Sequence, residues 1–450
     1  MACPQETTTA EAHAGAREGA PPGREATPPM PGREGMPQRG EGAPRPSVNE
    51  GTTPPAPSRR VTALFAVACG TAVANVYFAQ PLLVTLGRDL AIGPATVGVV
   101  VTLTQIGYGL GLFFLVPLGD LVEPRRLVVT QSALLAAALA VVGAAPGAPV
   151  LLAALTAVGV LAVVTQTLVA FAASLAGAER RGRVVGQVTG GVVVGILLAR
   201  TVSGALADLA GWRSVYLTSA ALTLLIALCL CRLLPRRDRG GPSMGYRRLL
   251  ASTIALFTEE PVFRFRALLA LLVFAAFSTL WSCVALPLSA APLSLSHTAI
   301  GAFGLVGAAG ALVAAPAGRL HDRGLGEWTT GTALALLAVS WLPLAFTERS
   351  LWALAAGAVV LDLAVQAVHV TNQSVIYAVR PDAGSRLIGG YMVFYSIGSA
   401  AGAIASTAVY AAAGWSAVCV LGGAISLLAF AVWALVHVRY ARHGDHVARR

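Results

Sequence analysis

The residues best suited to chemistry in this chain lie where water is scarce. Asp362, Gln366, His369 and Gln373 follow one another at intervals of four, three and four inside an otherwise apolar run. That spacing places them on one face of a helix. A carboxyl there can carry a proton, and an imidazole can relay one. The same set would equally serve as a hydrogen-bonded cluster that glues helices together. Arg200 stands alone in GILLARTVSG (195–204), with no acid beside it. Three roles are open to such a guanidinium: capture of an anionic group, an ion pair with a distant acid such as Asp362, or snorkelling toward the outer surface. Asn75, Tyr77 and Gln80, just ahead of Pro81, offer further amide and phenol groups, or packing hydrogen bonds. Trp281 offers an aromatic wall. The six Cys form no C-x-x-C pair and read as small buried hydrophobes, so no metal site is expected. No nucleotide-binding P-loop is present.

Those residues sit in a chain that is 56% hydrophobic and 12% charged, with mean hydropathy +0.71. A soluble domain with so few charges could not cover its surface. The apolar residues form twelve blocks, at 61–86, 96–118, 126–145, 149–175, 184–207, 214–234, 267–291, 298–317, 328–346, 351–377, 387–411 and 415–438. Each approaches the ~20 helical residues that cross a bilayer core. These are spans 1 to 12 below. Helices are expected because backbone in lipid must satisfy its own hydrogen bonds, and the alternating ~10-residue pattern of a membrane barrel is missing. Asp362 falls ~17 Å into span 10, near the midplane, at about 1.5 Å per residue.

The formal net charge of +11 does not point to nucleic acid. All 32 basic residues are Arg, and with the termini in the cytoplasm 28 lie in the tails and cytoplasmic loops. Only Arg88, Arg213 and Arg349 lie in loops on the other side. That asymmetry is the positive-inside rule, and it predicts cytoplasmic termini in a cell membrane.

Residues 1–60 are a different polymer, with twelve Pro and eight Gly, and no apolar core of a signal peptide. A disordered cytoplasmic tail is expected. Residues 235–266 read as a cytoplasmic linker with one interfacial helix near 247–257, and 439–450 as a C-tail. The six-helix units 61–234 and 267–438 repeat each other. Gly195 and Gly398, Gly211-Trp212 and Gly414-Trp415, and Val97-Gly98 and Ile300-Gly301 all share an offset of 203. The same offset pairs Gln166 with His369. The fold expected is an all-α membrane protein of twelve helices in two pseudo-symmetric bundles.

Over residues 61–438 the chain resembles the major facilitator superfamily of transporters. The signature G-x-x-x-D-[RK]-x-G-[RK]-[RK] is matched in part by VPLGDLVEPRR (116–126), through Asp120, Arg125 and Arg126. Gly318, Asp322 and Arg323 keep its core in the second half. The resemblance implies a cytoplasmic latch in which a carboxylate faces a helix N-terminus and nearby Arg. Gly186, Gly195, Ser203 and Gly204 preserve the glycine frame of the family's span-5 antiporter motif, with Ala199-Arg200 in place of Gly-Pro. ANVYFAQPLL (74–83) and LDLAVQAVHVTNQS (361–374) are similar to a bacterial subgroup of efflux permeases.

What the resemblance implies is secondary transport, with spans 1, 4, 7 and 10 around a central cavity. The implied activity is proton-coupled efflux of a small organic molecule by a monomer in a lipid bilayer, with the proton gradient as its only energy source and no cofactor. Uptake or uniport by the same fold is the alternative. A membrane receptor, scaffold or enzyme is less well supported, since no catalytic motif is found.

Overall fold

In the computed structural model, residues 58–176, 180–234, 245–313, 320–379 and 384–448 are described. The expected N-tail lies outside them, apart from its last three residues. The described residues are helical, with turns and no strands. Among them, eight helical runs are long and apolar enough to cross a membrane. One, Leu387–His437, is 51 residues long and carries both spans 11 and 12. Spans 1 and 9 are helical but broken, and span 8 (His297–Val313) runs into the undescribed stretch 314–319.

Span 1 shows why a run of apolar residues need not be one helix. Pro81 has no N–H, and its ring disfavours the α conformation upstream. Helix Arg59–Ala74 therefore gives way to turns, a 3-10 segment Gln80–Leu82 and a second helix, Leu83–Asp89. Asn75 patches the break. Its Nδ2–H donates to the Thr71 carbonyl at 2.9 Å, and its Oδ1 accepts from Ser219 of span 6 at 2.7 Å. Both ends of the amide are thus satisfied inside the first bundle.

The duplication reappears as geometry. Spans 5 (Arg181–Ala210) and 6 (Trp212–Leu233) meet at Gly211, with φ 77°. Spans 11 and 12 meet at Gly414, with φ 74°. Only Gly adopts that backbone at little cost. The following tryptophans are both buried and tie each turn to its own bundle, Trp212 Nε1–H to Asp89 and Trp415 Nε1–H to the Leu344 carbonyl, each at 2.8 Å. Within each half, small residues bring backbones together. A Cβ on Gly191 or Gly195 would run into Ala66 or Gly70 of span 1, and one on Gly398 or Gly402 into Leu271 or Ala275 of span 7.

The linker boundaries differ from those drawn by charge. Its helix is Tyr246–Glu259, and span 7 starts already at Pro261, so the expected boundary at 266 falls inside a bundle helix. Pro at the first helical position explains the early start. The linker helix touches both halves, through Tyr246 Oη–H to the Phe114 carbonyl at 2.9 Å and Phe257 stacked on Phe394.

The crossing of spans 1 and 5 gives a paired test. Gly195→Val should destabilise the purified protein by about 1–3 kcal/mol, because the backbone of span 1 must retreat. Gly186→Val faces open space and should cost at most a few tenths of a kcal/mol beyond its helix-propensity effect. Thermal melts in one detergent compare them.

Candidate functional site

A cavity of about 700 Å³ lies between the two halves. It runs from the first turns of spans 5 and 11 (Val185, Ile388) and the last turns of span 10 (Ser374) inward to Tyr77 and Tyr395. There the two phenols meet across the halves, Oη to Oη at 2.8 Å, with Phe274 against Tyr395. Four predicted amide and imidazole groups line it: Gln166, Gln366, His369 and Gln373. Among the described residues its walls hold no Asp, Glu, Lys or Arg. His369 Nδ1 shares a hydrogen bond with Tyr391 Oη at 3.0 Å, and its Nε2 meets Gln373 at 3.1 Å.

Asp362, Arg200, Trp281 and Gln80 do not line this cavity. They form a closed cluster beyond the tyrosines. Arg200 is 4% exposed, and its Nε–H donates to Gln80 Oε1 at 2.6 Å. Its guanidinium lies 4.1 Å from the Trp281 ring centre and 5.3 Å from that of Tyr77. Trp281 Nε1–H in turn donates to Asp362 Oδ1 at 3.0 Å. The direct Arg200–Asp362 ion pair is therefore not formed, because an indole separates the two charges. A desolvated cation–π contact is worth about 2 kcal/mol, enough to compensate in part for a buried guanidinium. Arg200 Nη2 has no hydrogen-bond partner among the described residues. Asp362 and His369 share a helix face, yet they are two turns apart and do not touch, so no continuous relay joins them here.

Asn75 also leaves the cavity list, since both ends of its amide serve the break in span 1. The span-5 glycines divide by depth. Gly195 packs on span 1, Gly186 faces open space, and Gly204 packs across the halves on the His297 backbone. Ser203 is fully buried and donates to the Arg200 carbonyl at 3.1 Å. At the latch, Arg125 donates to the Cys231 carbonyl at the end of span 6, and Arg126 and Arg323 are exposed. Gly318 and the side chains of Asp120 and Asp322 lie outside the described residues.

The end of the molecule beyond the cluster is shut by matched contacts. Gly301 of span 8 packs on Arg200 and Thr201, and Gly98 of span 2 packs on Ala403 and Thr407. Gly98 and Ala403 stand 203 residues from Gly301 and Arg200, so the two contacts are copies. Asp208, at the end of span 5, accepts the backbone N–H of Thr298 at 2.8 Å and its hydroxyl at 2.6 Å, and meets His297 Nδ1 at 2.6 Å. It thereby caps span 8 of the opposite half. Thr85 meets His297 Nε2 at 2.6 Å.

Three features escaped the sequence reading. The glycines of span 8 make room for charge: a Cβ on Gly304 would press on the Arg200 side chain, and one on Gly307 would collide with Asp362 and Trp281. Their spacing of three was a usable signal. Arg266, assigned to the linker, is 3% exposed and pairs with Glu327, with further bonds to Asn372 (3.2 Å) and Thr330 (3.4 Å). Tyr395 had no signal beyond being a tyrosine on an apolar helix.

The indole bridge and the cap can be tested apart. Trp281→Phe keeps a ring for Arg200 but removes the donor to Asp362, and should destabilise the protein by about 1–3 kcal/mol. Adding Asp362→Asn should recover part of that loss, since a neutral amide is left instead of an unpaired carboxylate. Asp208→Ala should cost about 1–2 kcal/mol, the usual loss of a helix cap. Equilibrium or thermal unfolding measures both.

This geometry has counterparts. The family model described as Major Facilitator Superfamily matches residues 63–329 and 266–449. The chain is 44% identical over 370 residues to the "Uncharacterized transporter YgaY" of Escherichia coli O157:H7, covering 82% of this chain and 94% of that protein. It is 32% identical over 394 residues to the "Probable transporter SCO4007" of Streptomyces coelicolor, covering 86% and 89%. In fold it is similar to a bacterial homolog of the human lysosomal transporter Spinster in an inward-facing, occupied conformation, with TM-score 0.68, 16% identity, and 84% and 96% of the chains covered. It is also similar to the human organic anion transporter MFSD10, with TM-score 0.60, 20% identity, and 84% and 99% covered. With a cavity between two copied bundles and these relatives, the chain belongs to the major facilitator superfamily: it is a multi-pass membrane transporter and not an enzyme.

Proposed function

We propose that this transporter exports small organic molecules in exchange for protons, by rocking its two halves about the central cavity. The observation that carries the reading is the placement of two buried charges on opposite halves. Arg200 belongs to the first half, and Asp362 to the second, with Trp281 between them. Opening the far end must pull Arg200 off the indole and leave Asp362 facing the incoming side. Closing it returns the guanidinium to the indole, and its positive field then favours release of the proton from the carboxyl. The proton leaves toward the cavity, where His369 and Gln366 are the next polar groups. With the Arg distribution placing the termini in the cytoplasm, the cavity faces the cytoplasm of a bacterial inner membrane, the side from which an exporter loads.

The cavity indicates the cargo. Its walls combine aromatic rings (Tyr77, Tyr108, Phe277) with amides and, among the described residues, carry no fixed charge. They suit an uncharged or weakly charged aromatic compound of a size matched to about 700 Å³. The bilayer and this solute are its partners, the protein acts as a monomer, and the proton gradient replaces any cofactor.

Proteoliposomes screened with a compound panel, with and without a pH gradient, provide the test. In the wild type, gradient-dependent movement should run outward relative to the cell. Asp362→Asn should abolish gradient-driven accumulation while leaving substrate exchange measurable. Full coupling in Asp362→Asn would refute the proton role, and gradient-independent movement in the wild type would assign uniport instead.

A further inference from the structure

A second concave site lies outside the central cavity. Spans 1 and 5 cross tightly at Ala66–Gly191 and Gly70–Gly195, and from that crossing they splay toward the starts of both helices. The splay opens a cleft of about 750 Å³. Its floor is apolar, made by Ala63, Ala66 and Val184, and its rim carries Arg59, Arg180 and Arg183. Thr62 and Gln187 add a hydroxyl and an amide. Among the described residues no acid is in the lining and no ion pair reaches these three guanidiniums. Arg125, Arg213 and Arg266 are by contrast engaged, Arg125 with a carbonyl, Arg213 with Ala145 and Trp212, and Arg266 with Glu327. Both helices begin beside the cleft, so their N-termini add positive potential.

Membrane orientation requires basic residues on this side of the bilayer, but not their convergence on a greasy floor. Three guanidiniums at the interface fit phosphate oxygens, which they bind through paired N–H donors. Ala63 and Ala66 stand four and seven residues beyond Arg59 on span 1, ~6 and ~10 Å deeper along the helix at about 1.5 Å per residue. We propose that this cleft is a binding site for a phosphate-bearing amphiphile, its headgroup held by Arg59, Arg180 and Arg183 and its chain laid on Ala63, Ala66 and Val184. The first turns of span 5 separate this cleft from the central cavity, with Val184 on one side and Val185 on the other. An occupant would therefore staple spans 1 and 5 beside the cavity mouth.

The test uses the full chain purified in an uncharged detergent, with thermal melting as the readout. Phosphatidylglycerol should raise the melting temperature saturably. Phosphatidylcholine should not, and inorganic phosphate should do so weakly. The triple substitution Arg59→Gln, Arg180→Gln, Arg183→Gln should weaken phosphatidylglycerol binding by on the order of a hundredfold, about fivefold per guanidinium. Ala63→Trp fills the floor and keeps every charge, so orientation and surface potential are unchanged, and it too should abolish the lipid response. An intact response in Ala63→Trp would overturn the cleft in favour of diffuse surface charge. An equal response to inorganic phosphate would overturn the amphiphile and assign a soluble phosphate compound. The readout is binding, so it stands whatever solute the protein moves.

Discussion

Burying one guanidinium in a membrane constrains everything around it. Arg200 cannot be held at that depth by an isolated carboxylate without desolvating both charges. It is held instead by a distributed environment: the Gln80 oxygen, the Trp281 face and, beyond the indole, Asp362. Each supplier makes its own demand on the fold. Gln80 reaches the cation only because Pro81 breaks span 1 there. Trp281 ends the long helix of span 7, and span 8 must be glycine at two successive contacts, Gly304 and Gly307, to admit the side chains. The irregular helices and the charge are therefore one design.

The cluster joins elements from both halves, so it stores the preference for the closed far end. Asp208 supplements it with a cap on span 8, and the copied glycine contacts bring backbones close enough for dispersion to act. The opposite end has no comparable seam in the described residues beyond the linker helix. Among the described residues the amide-lined cavity runs toward that end, to Val185, Ser374 and Ile388.

Much of this was legible in the chain. Apolar blocks, Arg asymmetry and the 203-residue offset gave the class of fold and the paired bundles, since all three depend on composition and period alone. The site was legible by face but not by depth. Asp362 and His369 share a helix face, yet two turns carry that face from the seam with span 8 into the open cavity. Periodicity reports angle and is silent on neighbours. Asn75 was misplaced because its role depends on a carbonyl freed by the break, and Arg266 because charge was taken to mark a loop. Depth and partner are tertiary facts.

The copied contacts also show how a duplicated fold becomes asymmetric. Arg200 occupies the place held by Ala403 in the other half, and Asp362 the place of Gly159. The frame of close approaches is retained in both copies, while the charge pair exists in one diagonal only. Symmetry is thus broken at the seam by two substitutions, while the scaffold of close approaches is left untouched.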